Sequence, residues 1–236
     1  MLAIWKRELQ SYFYTPVGYV FMGVFLALSG TFFYMLILGS RSSDVLTFLG
    51  QLSYLWMLLS PVLTMRLLAE EKQKRTDQLL LTSPVSLWGV VGGKFLAACA
   101  VLLCSVALSL VFVLIVALYG QVYPQELAVG YLGFILQGCA FIALDMLISA
   151  QCRAPMTAAI VAFGGNLLLW LMDVLNAAID IKIVNSILTF ISPYQRCAPF
   201  KLGQLSFASA LYFVAAIFLC LFFSVRTLDA RRWREA

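Results

Sequence analysis

Residues 67–84 read LLAEEKQKRTDQLLLTSP and hold the densest charge in the chain. Glu70 and Glu71 adjoin Lys72, Lys74 and Arg75, with Arg66 just ahead and Thr76 and Asp77 just behind. Acids and bases interleaved in this way suit ionic docking of a partner, where charge sets register and specificity. The chain has no histidine, so the commonest general base and metal ligand is absent. Downstream, GVVGGK (Gly89–Lys94) fails as a phosphate loop. That loop needs a glycine where Trp88 stands and a hydroxyl where Phe95 follows Lys94. No catalytic residue, metal or bound cofactor is expected on this chain.

Two acids fall inside apolar runs, where ionisable groups usually mark function. Asp145 lies two turns before Arg153 with Ser149 between them, a placement that suits snorkelling to headgroups or pairing within a bundle. Asn166, Asp173 and Asp180 are spaced seven apart, with Trp170 and Asn176 on nearly the same helical face. This stripe either faces a translocation path or subunit interface, or marks a helix growing polar as it leaves the membrane. An aspartyl protease needs two facing acids, and Asp145 and Asp173 are expected near opposite leaflets.

The elements that position these residues follow from composition. The chain is 63% hydrophobic and 11% charged, against roughly 25% charged in soluble domains, and its mean hydropathy is +0.95. The net charge of +5 is scattered between apolar runs and makes no nucleic-acid patch. About 20 apolar residues cross a bilayer as a helix. Six runs qualify, at about 17–38, 45–65, 95–118, 127–147, 156–179 and 207–225. The first is too long for a signal peptide and lacks a clear cleavage site. The run at 156–179 inserts despite Asp173: its aliphatic and Phe residues contribute roughly −3 to −6 kcal/mol against about 3 for the acid. With both termini on one side, twelve of the 16 Lys and Arg residues fall on that side. That bias predicts cytoplasmic termini and a multi-pass protein of the cytoplasmic (inner) membrane.

The reading is therefore an all-α membrane protein forming a single domain, 1–236. Leu2, Trp5, Leu9 and Phe13 repeat at helical spacing, with Lys6, Arg7 and Gln10 between them. This predicts an amphipathic N-terminal helix on the inner leaflet. Ile183, Val184, Ile187, Leu188 and Ile191 make a similar short outer segment. Of six cysteines, only Cys197 falls in a polar loop that could face outward, and no disulfide scaffold is expected. The loop from Arg66 to Lys94 is too short for its own core and has no Gly or Pro before Pro84. It predicts a helix that leaves the membrane and runs along the cytoplasmic face, either docking a partner or simply lying solvated.

The segment MRLLAEEKQKRTDQLLLTSPVSLWGVVGGKFLA (65–97) resembles the region after the second membrane helix in permease subunits of ABC-2 type transporters, nearest to the gliding-motility-type branch. The shared pattern is an exit Arg (Arg66), Glu70-Glu71-Lys72, Thr76, LLLTSP (Leu79–Pro84) and Gly93-Lys94. A Gly often precedes the Thr in that family, and here Arg75 takes its place. The six spans, the amphipathic N-terminus and SPY (Ser192–Tyr194) also fit. The resemblance implies a permease, an exporter by expectation, driven by a separate ABC ATPase that binds ATP and Mg. Arg66, Glu70, Glu71, Lys72, Lys74, Arg75, Thr76 and Asp77 would form a coupling helix on that ATPase. It further implies a second permease subunit, contact with membrane lipid, and spans two and five along the path, and it leaves an extracytoplasmic accessory subunit open. A channel or secondary carrier, or a membrane anchor that transports nothing, are the alternatives.

Overall fold

The computed structural model describes residues 2–40, 43–74, 86–120, 123–178 and 192–235. Among the described residues there are eight α-helices: α1 (Leu2–Tyr14), α2 (Pro16–Phe33), α3 (Val45–Gln73), α4 (Leu87–Tyr119), α5 (Pro124–Gln151), α6 (Pro155–Ala178), α7 (Pro193–Lys201) and α8 (Phe207–Glu235). A π-helical turn, Tyr34–Leu38, extends α2. Among the described residues, six helices are long and apolar enough to cross a membrane: α2 with its π turn, α3, α4, α5, α6 and α8.

Local chemistry sets the helix ends. Thr15 is extended because the following Pro16 disfavours the helical region, so α1 and α2 meet at a break. Gly18 allows the close return: a Cβ there would overlap the Tyr12 carbonyl oxygen. Asp44 caps α3 by accepting from the Thr47 amide at 3.1 Å, and Ser86 caps α4 by accepting from the Gly89 amide at 3.2 Å. In SPY, Ser192 accepts from the Gln195 amide, Pro193 takes the first helical position, and Tyr194 is buried. Gly203, at φ +70, closes α7 with paired bonds, Gln204 amide to Pro199 carbonyl and Gly203 amide to Phe200 carbonyl.

The centre is α3, the most buried span, while α6 is the least. Trp56 of α3 meets Phe21 and Phe25 of α2 and Phe134 of α5 edge-to-face, at 5.6, 5.7 and 6.4 Å. With 29 residues, α3 rises about 43 Å, beyond the ~30 Å hydrocarbon core. It therefore carries Glu70, Glu71 and Lys72 past the apolar zone as its own last turns.

Two expectations change. The first part of the charged stretch continues the second span rather than starting a separate surface helix, because Arg66–Gln73 supplies good helix formers with no breaker. The remainder of that stretch, with Arg75, Thr76 and Asp77, and the amphipathic segment through Ile191 lie outside the described residues. Cys197 does not face outward: it is buried on α7 against Phe200 and Phe213. Burial pushes its thiol up to about 11.

Gly133 of α5 sits beneath Phe200, where a Cβ would overlap the ring. Gly133→Val should cost about 1–3 kcal/mol by overpacking, read as a lower unfolding temperature in detergent. Unchanged stability would contradict this contact.

Candidate functional site

The charged end of α3 divides into an inward and an outward face. On the inward face, Lys94 of α4 is 1% exposed. Its ammonium lies 2.8 Å from Glu71 and 3.3 Å from Glu8, and donates to the Leu67 carbonyl at 2.6 Å. Arg7 completes the cluster, 3.0 Å from Glu8 and 3.5 Å from Glu71. Two acids and two bases thus fasten α1, the end of α3 and the start of α4 together. Tyr12 adds a second tie from α1, donating to the Leu63 carbonyl at 2.9 Å. Burial raises its phenol above the ordinary range.

The end of α3 is also fixed to α5. Lys72 donates to the Ala150 carbonyl and, at 3.2 Å, to the Cys152 carbonyl. These carbonyls close α5, where a helix lacks internal donors and favours a cation. Ser149 accepts from the Ala69 amide at 3.2 Å and donates to the Met65 carbonyl at 3.3 Å.

Arg66, Glu70 and Lys74 form the outward face, a ladder at four-residue spacing with contacts of 3.0 and 2.7 Å. Their side chains are 41, 24 and 66% exposed, against 16% for Glu71. Beside them opens a cleft of about 260 Å³ between α1 and α3, lined by Glu8, Ser11, Tyr12, Thr15, Arg66, Glu70 and Lys74 among others. Exposed i,i+4 pairs contribute only a few tenths of a kcal/mol, so this face can exchange internal partners for external ones at little cost.

Deeper in the bundle, Asp145 of α5 is buried and bonded on both oxygens. Ser60 donates to one at 2.6 Å and Asn166 to the other at 3.0 Å. Asn166 also donates to the Met57 carbonyl at 3.2 Å. That carbonyl lacks its helical partner because Pro61, four residues on, has no N–H. Pro61 thus creates an unpaired acceptor in α3, and the Asn166 amide fills it. Asn166 is fully buried within the chain.

Asp173, Trp170 and Asn176 lie nearer the end of the bundle that carries α7, and Asp180 lies outside the described residues. Asp173 accepts from Gln195 at 2.8 Å and from Ser192 at 3.4 Å. Trp170 is 37% exposed and Asn176 half-buried. Nearby, Tyr54 and Tyr194 stack at 4.9 Å, and the Lys201 ammonium sits over their rings at 4.9 and 5.6 Å. Burial lowers the Lys201 affinity for its proton. Asp145 and Asp173 have separate partner sets and do not face each other.

Sequence reasoning passed over Glu8 and treated Lys94 as a loop cation. The available signal was a lysine opening a long apolar helix with an acid in reach on a neighbouring amphipathic one. Gln137, fully buried mid-way along α5, was also passed over.

Six apolar helices around a hydrogen-bonded polar core, with one span carrying charge beyond the apolar zone, define a multi-pass membrane protein. Residues 52–200 match the family model described as ABC-2 family transporter protein, and the chain belongs to that family. The matched region runs from α3 through α7 and contains Glu71, Lys72, Lys94, Asp145, Asn166 and Asp173. No curated protein matches the chain.

Lys94→Met leaves two neighbouring carboxylates without their ammonium and should cost about 3 kcal/mol. Adding Glu8→Gln and Glu71→Gln should recover most of that loss in thermal unfolding; no loss in the single variant would contradict the cluster. For the core triad, a double-mutant cycle of Asp145→Ala with Asn166→Ala should give about 0.6–1.7 kcal/mol of coupling. Simple additivity would show that the two side chains do not interact.

Proposed function

We propose that this chain is the membrane permease of an ATP-driven ABC-2 exporter, with ATP and Mg bound on a separate ABC ATPase. The observation that carries the reading is the extension of α3. The most buried span continues into a charged end, fastened to α1, α4 and α5 on one face and open beside a polar cleft on the other. A partner seated on Arg66, Glu70 and Lys74 would move the span itself, because no loop separates that ladder from Trp56 and Ser60. Arg75, Thr76 and Asp77 would extend the docking element. Glu71 and Lys72 would act by holding the element to the bundle.

The motif through LLLTSP supports placement in the gliding-motility-type branch. The excess of Lys and Arg on the side of the termini supports an inner-membrane protein with both ends cytoplasmic, α1 lying on that leaflet, and the whole chain forming one domain. The sparsely buried face of α6 supports a second permease copy or relative. Asp173, Trp170 and Asn176 lie on the same helix, where a path or interface would run.

The experiment is affinity purification of the chain expressed with its genomic neighbours, followed by ATP-hydrolysis assay. Glu70→Lys with Lys74→Glu should reduce the retained ATPase by about tenfold, since several interface charge contacts are reversed. Reversing Glu71 is a poorer probe, because it sets an ammonium beside Lys94. Full retention in the double reversal, or solute movement by the chain alone in liposomes, would contradict the reading.

A further inference from the structure

Cys99 of α4 and Cys139 of α5 hold their sulfurs 3.5 Å apart, in contact across two helices. Both are free thiols, and no second sulfur–sulfur contact between cysteines occurs among the described residues. Gly138 makes the approach possible. A Cβ there would stand 2.9 Å from a methyl of Leu102, one turn along α4 from Cys99, so the missing side chain lets the two helices pack closely. The sulfurs are about 1.5 Å further apart than a disulfide would hold them, a gap within reach of small side-chain rotations.

The pair lies at the margin of an apolar face. Leu96 and Leu103, a turn either side of Cys99, are 45 and 50% exposed, and Leu132, two turns before Cys139, is 42% exposed. Cys139 itself is half-buried, and Cys99 is 8% exposed. In a bilayer that face is covered by lipid chains, and a small apolar reagent dissolved among them reaches the sulfurs. Cys99 is four residues inside the apolar run that begins at Phe95, and Cys139 eight inside the run that ends at Leu147. Those steps put the pair about 6–12 Å within the hydrocarbon zone at 1.5 Å per residue. Charged reagents such as glutathione are excluded at that level by the cost of stripping their water.

We propose that Cys99 and Cys139 are an oxidisable dithiol, a modification site where a lipid hydroperoxide makes a disulfide that fastens α4 to α5. One sulfur attacks the terminal peroxide oxygen and the O–O bond breaks. The thiol proton goes to the departing lipid alkoxide, leaving a sulfenic acid and a lipid alcohol. The second sulfur then displaces the sulfenic hydroxyl, which leaves as water with the second thiol proton. Two electrons pass to the peroxide as the S–S bond forms. The bond joins the helix that carries Lys94 to the helix that carries Asp145. It persists in a reducing cell because the aqueous thiol pool does not reach it. The site stands on the two helices and their place in the membrane, not on the transporter reading above.

The test uses the full chain in phosphatidylcholine vesicles containing methyl linoleate hydroperoxide. After incubation the chain is denatured, free thiols are alkylated, and linked peptides are mapped by mass spectrometry. The Cys99–Cys139 link should exceed every other cysteine pairing by about tenfold, because only these two sulfurs start in contact. It should survive aqueous glutathione and yield to a neutral, membrane-permeant phosphine. The oxidised parent should melt several degrees above the reduced one, since the bond closes a long loop. Cys99→Ser should fold like the reduced parent and show neither link nor shift. Both thiols remaining free after the other cysteines have oxidised, or another pairing forming as often, would overturn the site. Reduction by glutathione as fast as by the phosphine would overturn its shelter within the hydrocarbon zone.

Discussion

One constraint shapes most of this fold: a polar group inside an apolar bundle is costly unless it finds a partner there, as Asp145, Asn166 and Lys94 each do. Lys94 shows it most plainly. Its ammonium opens a long apolar helix and is almost wholly shielded, so it takes acids from two other elements, Glu8 of α1 and Glu71 of α3, and the Leu67 carbonyl besides. Removing one member of such a set strands a charge and costs far more than the set contributes as a whole. The geometry of three helices is thereby fixed at the end where the charges gather.

The same constraint sorts the residues that sequence groups together. Glu70, Glu71 and Lys72 are adjacent, yet helical rotation sends them to different tasks. Glu71 enters the Lys94 cluster, Lys72 closes the carbonyl end of α5, and Glu70 joins the outward ladder with Arg66 and Lys74. A segment that looks uniformly built for docking is about half anchor. That division suits a proposed coupling element, which must hold one partner loosely and the membrane span firmly. In the core, Pro61 leaves the Met57 carbonyl open and Asn166 fills it, so a break in the backbone ladder of α3 becomes a tie to α6 and α5.

Six spans were legible because the apolar runs are long and separated by charge. Their ends were less so. Hydropathy stops at Met65 and begins again at Phe95, but the helices run about two turns past both, to Gln73 and back to Leu87. Helix propensity and the Ser86 cap decide those ends, and neither is a matter of hydrophobicity. Pairing was harder still. Nothing local says that Asn166 faces Met57 or that Glu8 meets Lys94, because each depends on which faces of distant helices pack together. Cys197 was misread for a related reason: it lies in a polar stretch, but α7 turns it onto Phe200 and Phe213. The SPY signal, by contrast, was legible as a helix start with its own cap and proline.

Force applied at the outward ladder reaches the membrane span only if α1, the end of α3 and the start of α4 move as one body. The most direct test is a pulsed electron-spin distance measurement between labels at Gln10 on α1 and Gln73 on α3, both exposed positions. It would be made on the reconstituted complex with and without a non-hydrolysable ATP analogue. The account predicts a narrow distance distribution that nucleotide leaves unchanged. A broad distribution, or a shift on nucleotide binding, would mean that the ion cluster opens during the cycle and that α3 does not carry the stroke as a rigid extension.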